Sequence, residues 1–211
     1  MFLKFRKDLN QYCINGKVIS IIIDGDIWIV WLECYTGQNT PHIVPITITS
    51  QTTGKDFLAQ NNYVQIKGAL NSTKTNPHTF EYQLMADQIR QSDSISCMLQ
   101  NKQNILTGIA FITQPPRINI ESHPFKARVY LGTSSILVGD IFKGKRHYFD
   151  MSLLRKNVIM ASGLKDGDIV SFKASLVYTK EHGLQIIGKE LIKIGSIQTK
   201  PHTFFSALKP M

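Results

Sequence analysis

Strand-like patterning dominates the first half of the chain. Runs rich in β-branched and aromatic residues, several with an apolar residue at every second position, alternate with short polar turns. The predicted strands are Lys17 to Ile23, Ile27 to Tyr35, His42 to Thr49, Tyr63 to Leu70 and Phe80 to Ile89. A short segment, Gly54 to Gln60, is predicted as a helical turn between the third and fourth strands.

A second set of strands follows a polar, Ser- and Gln-rich segment. These strands are predicted over Ile105 to Thr113, Phe125 to Thr133, Ser135 to Val138 with a continuation at His147 to Asp150, Ile169 to Tyr178, and Leu184 to Ile194. Met151 to Ala161 is the strongest helix candidate, with Asp150 as its N-cap and Gly163 as its stop.

The two sets repeat each other. Val64 to Leu70 aligns without a gap with Val170 to Leu176, and Ile14 to Val18 aligns with Leu106 to Ala110. Three strands, a helical segment and two strands is the order of an OB barrel. The prediction is an all-β chain of two tandem five-stranded OB-fold barrels, each with a short helix between strands three and four. The first barrel covers residues 1–91, a linker 92–103, the second barrel 104–197 and a tail 198–211.

Charge is distributed unevenly between the halves. Residues 1–100 contain 8 Lys and Arg against 8 Asp and Glu, whereas residues 101–211 contain 16 against 7. The second half therefore carries the whole net charge of +9. A basic domain favours a polyanionic partner, because each phosphate that it neutralises releases condensed counterions.

Several short motifs resemble the bacterial single-stranded DNA-binding proteins and the related primosomal single-strand binder. Asn104 to Ile109 followed by Pro115 is similar to that family's opening strand, Tyr63 to Leu70 to its fourth strand with the bend glycine at Gly68, and Gln83 to Ile89 to its closing strand. The resemblance covers residues 14–91 and 104–195. It implies OB barrels that hold single-stranded DNA.

The chain departs from the family pattern in three places. Family members usually carry one barrel per chain and assemble, so two barrels here could pair within one chain or form a homo-oligomer, most simply a dimer. The ending, Lys200 to Met211, is basic and apolar rather than acidic. Ala174 replaces the bend glycine in the second repeat, which predicts a different curvature there.

The candidate binding residues combine cations with aromatic rings, which hold phosphates and stack on bases. Period two places Lys126, Arg128 and Tyr130 on one face of a strand. A basic loop, Phe142 to Tyr148, is predicted to clamp the backbone. The full candidate set is Lys126, Arg128, Tyr130, Lys143, Lys145, Arg146, Tyr148, Lys173, Lys180, Trp31 and Lys67. Trp31 is also interpreted as a packing or interface residue, because the half around it is neutral.

Catalytic and metal-binding motifs are absent from the sequence. It contains no GxxxxGK[ST], GxSxG, HExxH or DxDxDG, and the histidines lie apart. Cys13, Cys34 and Cys97 have no ligand spacing, so we expect neither a zinc site nor a cofactor. No apolar run is long enough for a signal peptide or membrane span, and we expect a cytoplasmic, nucleoid-associated protein that is not an enzyme.

The leading interpretation is sequence-tolerant, non-catalytic binding of single-stranded DNA in replication, recombination, repair or mobile-element metabolism. Two alternatives stay open from sequence: a protein-interaction scaffold built on OB barrels in a nucleoprotein assembly, and an RNA-binding OB protein, since preference for the 2′-hydroxyl leaves no mark in the residues.

Overall fold

The computed structural model describes residues 10–35, 41–76, 79–94, 104–119, 121, 125–138 and 141–197. These residues form an all-β structure of ten strands. The strands are β1 (Asn10–Asp24), β2 (Ile27–Tyr35), β3 (Pro41–Ile48), β4 (Tyr63–Asn76), β5 (Thr79–Gln91), β6 (Ile105–Asn119), β7 (Lys126–Val138), β8 (Ile141–Leu154), β9 (Asp168–Thr179) and β10 (Gly183–Ser196). Two short 3₁₀ segments, Lys55–Phe57 and Arg155–Ala161, follow β3 and β8.

The strand pairings close a five-stranded barrel. In the first half β1 pairs with both β2 and β4, β2 pairs with β3, and β4 pairs with β5, all antiparallel. A parallel contact between β3 and β5, at Thr47 and Met85, completes the ring. The strands β6 to β10 pair in the same order, with a parallel contact between β8 and β10.

The two halves join through their first strands. Residues Asn10 to Cys13 of β1 pair antiparallel with Ile105 to Gly108 of β6, and Tyr12 lies opposite Leu106. Tyr12 also pairs with Gly68, and Leu106 with Ala174, so the two residues hold equivalent positions. An approximate two-fold axis therefore passes through this pair, as in a symmetric dimer contact.

Alternation of buried and exposed residues builds the core. Val64, Ile66 and Leu70 on β4 are fully buried, as are Val170 and Leu176 on β9. Gln65, Lys67, Ser171 and Lys173, which alternate with buried residues, are partly or fully exposed. A buried asparagine begins each first strand: Asn10 bonds both backbone groups of Leu70, and the Asn104 amide donates to the Leu176 carbonyl.

Four expectations from sequence differ from the structure. Ser135 to Val138, predicted as the third strand of the second set, is the end of β7, and the next strand begins at Ile141. The first-strand alignment is two residues out of register, because Gly16 and Ala110 pair with the equivalent residues Val64 and Val170. No helix begins at Met151. Instead β8 continues to Leu154, since Met151 and Leu153 alternate into the core and pairing with β7 outweighs the local helical pattern. The basic segment from Phe142 to Tyr148 is part of β8 rather than a loop.

The carboxylate of Asp168 fastens the end of β10 to the start of β9. It lies 2.7 Å from Lys193 Nζ, and it accepts hydrogen bonds from the Ser196 hydroxyl at 2.8 Å and the Lys165 backbone N–H at 2.9 Å. Burial alone would raise the pKa of Asp168, but these three partners together hold it below its ordinary value of 3.8. The ionised form of Asp168 therefore stabilises the fold.

We expect Asp168→Asn to lower the free energy of unfolding at neutral pH by roughly 2 kcal/mol, because it removes charge-assisted hydrogen bonds from a buried site. A depressed folded-state pKa stabilises the protein above the unfolded-state pKa, and this contribution is lost as the pH falls through the folded-state value. Urea unfolding measured across the acid range should give a flatter profile for the variant. Asp166→Asn, at an exposed neighbour, is the control. Parallel profiles for wild type and Asp168→Asn would contradict this assignment.

Among the described residues, the structure contains no helix with the length and apolar character needed to cross a membrane.

Candidate functional site

The outer surface of β6, β7 and β8 gathers cations around an aromatic ring. On β7, Ala127, Val129 and Leu131 point into the core, so Lys126, Arg128 and Tyr130 point outward from the same strand. Lys126 and Arg128 are exposed, and Tyr130 is half-buried. Three residues of the sequence-based candidate set therefore share one face of β7. We call this surface, together with the residues next to it on β6 and β8, the β7 face.

Arg117 is a residue of this face that is absent from the sequence-based candidate set. It pairs across the ladder with Arg128, and its guanidinium carbon lies 5.7 Å from the centroid of the Tyr130 ring. Two register shifts, between Ile112 and Gln114 and between Gln114 and Arg117, set this position. The flanking Gln114-Pro115-Pro116 sequence signals an irregular strand, but it does not reveal which neighbour Arg117 meets.

Asp150 on β8 supplies a carboxylate to the same face. Its Oδ2 lies 3.2 Å from Arg128 Nε. The Tyr82 hydroxyl, from β5 of the first half, donates to the other carboxylate oxygen and accepts from the Asp150 backbone N–H at 3.0 Å. Burial and then the adjacent Asp150 charge raise the pKa of Tyr82, so this hydroxyl keeps its proton.

A second aromatic group lies beside Tyr130 on the β7 face. Phe111, Gly132 and Tyr148 are neighbours across β6, β7 and β8. A Cβ on Gly132 would stand 2.4 Å from Phe111 Cζ, so the glycine leaves room for the Phe111 ring to lie across β7. That ring meets the Tyr148 ring edge-on, with centroids 6.4 Å apart. The predicted binding residue Tyr148 is thus packed against Phe111.

The basic segment is part of the β7–β8 hairpin. Lys143 pairs with Ile136, and Arg146 pairs with Ser134. The Arg146 side chain is exposed, whereas the side chains of Lys143 and Lys145 lie outside the described residues. Next to Arg146, the buried His147 accepts at Nδ1 from the Ser72 backbone N–H at 3.2 Å, which ties the base of the hairpin to the first half.

The remaining candidates lie away from the β7 face. Lys173 is on β9 beside Thr107 and pairs with Glu190 at 3.3 Å. Lys180 is exposed in the turn between β9 and β10. Lys67 is exposed on β4 and lies beside Cys13 of β1, so it belongs to the first half.

The first half presents an aliphatic surface at the equivalent position. A one-residue shift in the β1–β2 ladder places Trp31 opposite Ser20, as the matching shift in β6–β7 places Tyr130 opposite Gln114. Ile27 and Ile29 then take the places of Lys126 and Arg128, and their side chains are 50% and 36% exposed. This surface has apolar groups where the second half has two cations.

Trp31 contacts the second half. Its ring lies edge-on to the Tyr178 ring of β9, with centroids 5.4 Å apart. Trp28, the other tryptophan, packs against the core and has Lys55 Nζ 5.5 Å from its ring centroid. The geometry thus places Trp31 in a packing contact between halves, away from the cations of the β7 face.

The fold is similar to solved structures of a single-stranded DNA binding protein. The wild-type single-stranded DNA binding protein from Thermus aquaticus matches with a TM-score of 0.66 at 16% identity, over 93% of this chain and 97% of that chain. A deletion mutant of the same protein matches with a TM-score of 0.64 at 16% identity, over 92% and 98%. The N-terminal domain of PriB from Thermoanaerobacter tencongensis covers 40% of this chain and 98% of its own, at 21% identity and a TM-score of 0.33.

No protein-family model matches this chain, and no curated protein matches it at a significant level. At 16% identity, the likeness to the Thermus aquaticus protein shows a shared fold over 93% of this chain.

Proposed function

We propose that this chain is a pair of tandem OB barrels that binds single-stranded DNA without catalysis, and that the β7 face of the second barrel is its main contact surface. The observation that carries the proposal is that Arg117, Lys126 and Arg128 lie on the same outward-facing surface as Tyr130, with Arg117 over its ring. Cations that follow phosphates beside a ring that stacks on a base are the two requirements for sequence-tolerant strand binding.

The tandem arrangement is supported by equivalent details in both halves. The strand pairings follow the same order in both halves. A one-residue register shift lies next to Trp31 in the β1–β2 ladder and next to Tyr130 in the β6–β7 ladder. In the last ladder Gly68 pairs with Ala86, while Ala174 pairs with Gly188, each beside a one-residue bulge in the closing strand. We assign residues 1–91 and 104–197 to the two barrels, with the linker 92–103 between them and a tail after 197.

The pairing of β1 with β6 supports an intramolecular dimer of barrels. The approximate two-fold axis at Tyr12 and Leu106 relates the barrels within one chain, so one chain provides a contact that two identical subunits would otherwise supply. Further assembly into a homo-oligomer is compatible with this arrangement. We propose that the protein acts in the cytoplasm, on strands exposed during replication, recombination, repair or mobile-element metabolism.

The first measurement is fluorescence anisotropy of a labelled oligo-dT of about 30 nucleotides, long enough for several OB site sizes. We expect binding that weakens steeply with salt and that duplex DNA does not displace. An RNA strand of matching sequence, added as competitor, separates DNA binding from RNA binding. Absence of binding at low salt would refute the proposal.

Protein interaction through the first barrel is the second candidate function. The exposed aliphatic side chains Ile22, Ile27, Ile29 and Ile43 favour it, since an apolar surface without cations suits a protein partner better than a phosphate backbone. If oligo-dT does not bind, this function becomes the leading one. Ile29→Glu should then abolish capture of the partner while leaving the fold intact.

We expect Tyr130→Ala to weaken oligo-dT binding by about ten- to a hundredfold, because one base stack on an aromatic ring is worth about 1–3 kcal/mol. Tyr130→Phe keeps the stacking surface and should retain most of the affinity. Tyr63→Ala, which removes a half-buried tyrosine from β4 of the neutral half, is the matched control. Equal losses in Tyr130→Ala and Tyr63→Ala would show that the β7 face is not the contact surface.

A further inference from the structure

A chain of polar contacts connects the first barrel to the β7 face of the second. It runs from the Tyr82 hydroxyl on β5 to the Asp150 carboxylate on β8 and from there to Arg128 Nε on β7. The Tyr82 hydroxyl serves as donor and acceptor at once, so it fixes both the Asp150 side chain and the Asp150 backbone N–H. Asp150 is half-buried, whereas 59% of the Arg128 side chain is exposed.

These contacts matter more for the position of Arg128 than for the stability of the fold. An ion pair that includes an exposed arginine adds little to the free energy of unfolding. A long arginine side chain, however, has many rotamers, and holding one of them in place removes an entropic cost from binding. Because Asp150 contacts Arg128 at Nε, the guanidinium keeps N–H donors on its terminal nitrogens for a phosphate.

The Asp150 carboxylate also reduces the repulsion between Arg117 and Arg128. Arg117 and Arg128 lie directly opposite each other across β6 and β7, and like charges in that position repel. The Asp150 carboxylate offsets this repulsion from the β8 side. Arg117 stays over the Tyr130 ring, and Arg128 stays beside it.

We infer that Tyr82 and Asp150 are positioning residues for the strand-binding surface: through them the first barrel holds the Arg128 guanidinium where it meets a backbone phosphate of the bound strand. The inference rests on the proposed function. Other hydrogen bonds join the barrels nearby, since Ser72 Oγ accepts from the Tyr148 backbone N–H at 2.8 Å and Ser72 N–H donates to His147. Loss of the Tyr82 hydroxyl alone therefore leaves the junction in place.

Asp150→Asn provides a test in which positioning and simple charge predict opposite signs. Removing a negative charge from the surface should tighten phosphate binding if only the net field matters. If Asp150 positions Arg128, the variant should instead weaken oligo-dT binding about three- to tenfold. Tyr82→Phe should give a loss of the same size, with the salt slope lowered toward that of Arg128→Ala.

Double variants separate a positioning role from a structural one. With Arg128 replaced by alanine, adding Tyr82→Phe or Asp150→Asn should not weaken oligo-dT binding further. Both residues act on binding through Arg128, and that side chain is already removed. Ser72→Ala, which removes a different bond between the barrels, should bind as wild type does. Tighter binding by Asp150→Asn, or a loss in Tyr82→Phe that persists with Arg128→Ala, overturns the inference.

A readout in the free protein distinguishes failure of this inference from failure of the proposed function. The Nε–H signal of Arg128 in a nitrogen-15 NMR spectrum should exchange slowly with solvent in wild type and faster in Tyr82→Phe. An unchanged exchange rate refutes the inference even if the protein binds oligo-dT. If wild type does not bind oligo-dT at low salt, the proposed function falls, and the phosphate contact assigned to Arg128 falls with it.

Discussion

Simultaneous replacement of Arg117, Lys126 and Arg128 by alanine is expected to reduce oligo-dT affinity by about a hundredfold or more at moderate salt, the largest effect on binding that we predict. Each phosphate contact to a single strand contributes roughly 0.7 to the slope of the logarithm of the binding constant against the logarithm of the salt concentration. Loss of three contacts should therefore lower that slope by about 2.

A second triple variant separates local charge from total charge. Lys156, Lys165 and Lys189 are exposed on the same half but lie outside the β7 face, on the second 3₁₀ segment, the following turn and β10. Their replacement by alanine removes three positive charges from the net +9, as many as the first triple variant removes. We expect the wild-type slope to be kept. If both triple variants lose slope equally, binding depends on the overall field of the protein rather than on the β7 face.

Strand positions were readable from the sequence because period-two burial is a local property. The alternation in Val64 to Leu70 and in Val170 to Leu176 predicts which side chains enter the core, and those side chains are buried in the structure. The pattern at Lys126, Arg128 and Tyr130 likewise fixes their common direction. Where a helical pattern competed with strand pairing, after Asp150, the ladder with β7 decided the outcome, and that ladder depends on residues more than twenty positions away.

The cross-strand neighbours could not be read from the sequence. Arg117 reaches Tyr130 through two register shifts, and Tyr82 reaches Asp150 across the junction of the two halves, which pair through β1 and β6. Bulges and long-range pairings shift neighbours by one or two residues, and a single sequence does not show where such shifts occur. The carboxylate that pairs with Arg128 was therefore interpreted as a helix cap.

The last ladder of each half carries one glycine, on β4 in the first half and on β10 in the second, where Ala174 takes the place of the expected bend glycine. At Gly68 a Cβ would lie 1.9 Å from the Met85 carbonyl oxygen and 2.9 Å from Ala86 Cα, both of them backbone atoms. In the second half the glycine is on the other strand, at Gly188, opposite Ala174. The bulge is retained in both ladders, but the two glycines avoid different neighbours. A Cβ at Gly188 would lie 2.4 Å from Leu153 Cδ2 and 2.9 Å from Met151 Sδ, both of them side-chain atoms of β8, whereas a Cβ at Gly68 would meet backbone of its paired strand.

Gly68→Ala is accordingly expected to lower the free energy of unfolding by roughly 3 kcal/mol, because the new Cβ meets backbone that cannot move without disturbing the β4–β5 ladder. The double variant Gly68→Ala with Ala86→Gly should recover little of that loss, because the new Cβ still meets the Met85 carbonyl oxygen and the Cα of residue 86, and a glycine at position 86 keeps both atoms. Urea unfolding followed by tryptophan fluorescence measures both. Gly195→Ala is the matched control, since a Cβ there has its nearest neighbour at 3.8 Å, and it should stay within about 0.5 kcal/mol of wild type. A double variant that regains most of the lost stability would instead mean that the two Cβ atoms conflict with each other across the ladder, and that the glycine can be exchanged between the paired strands.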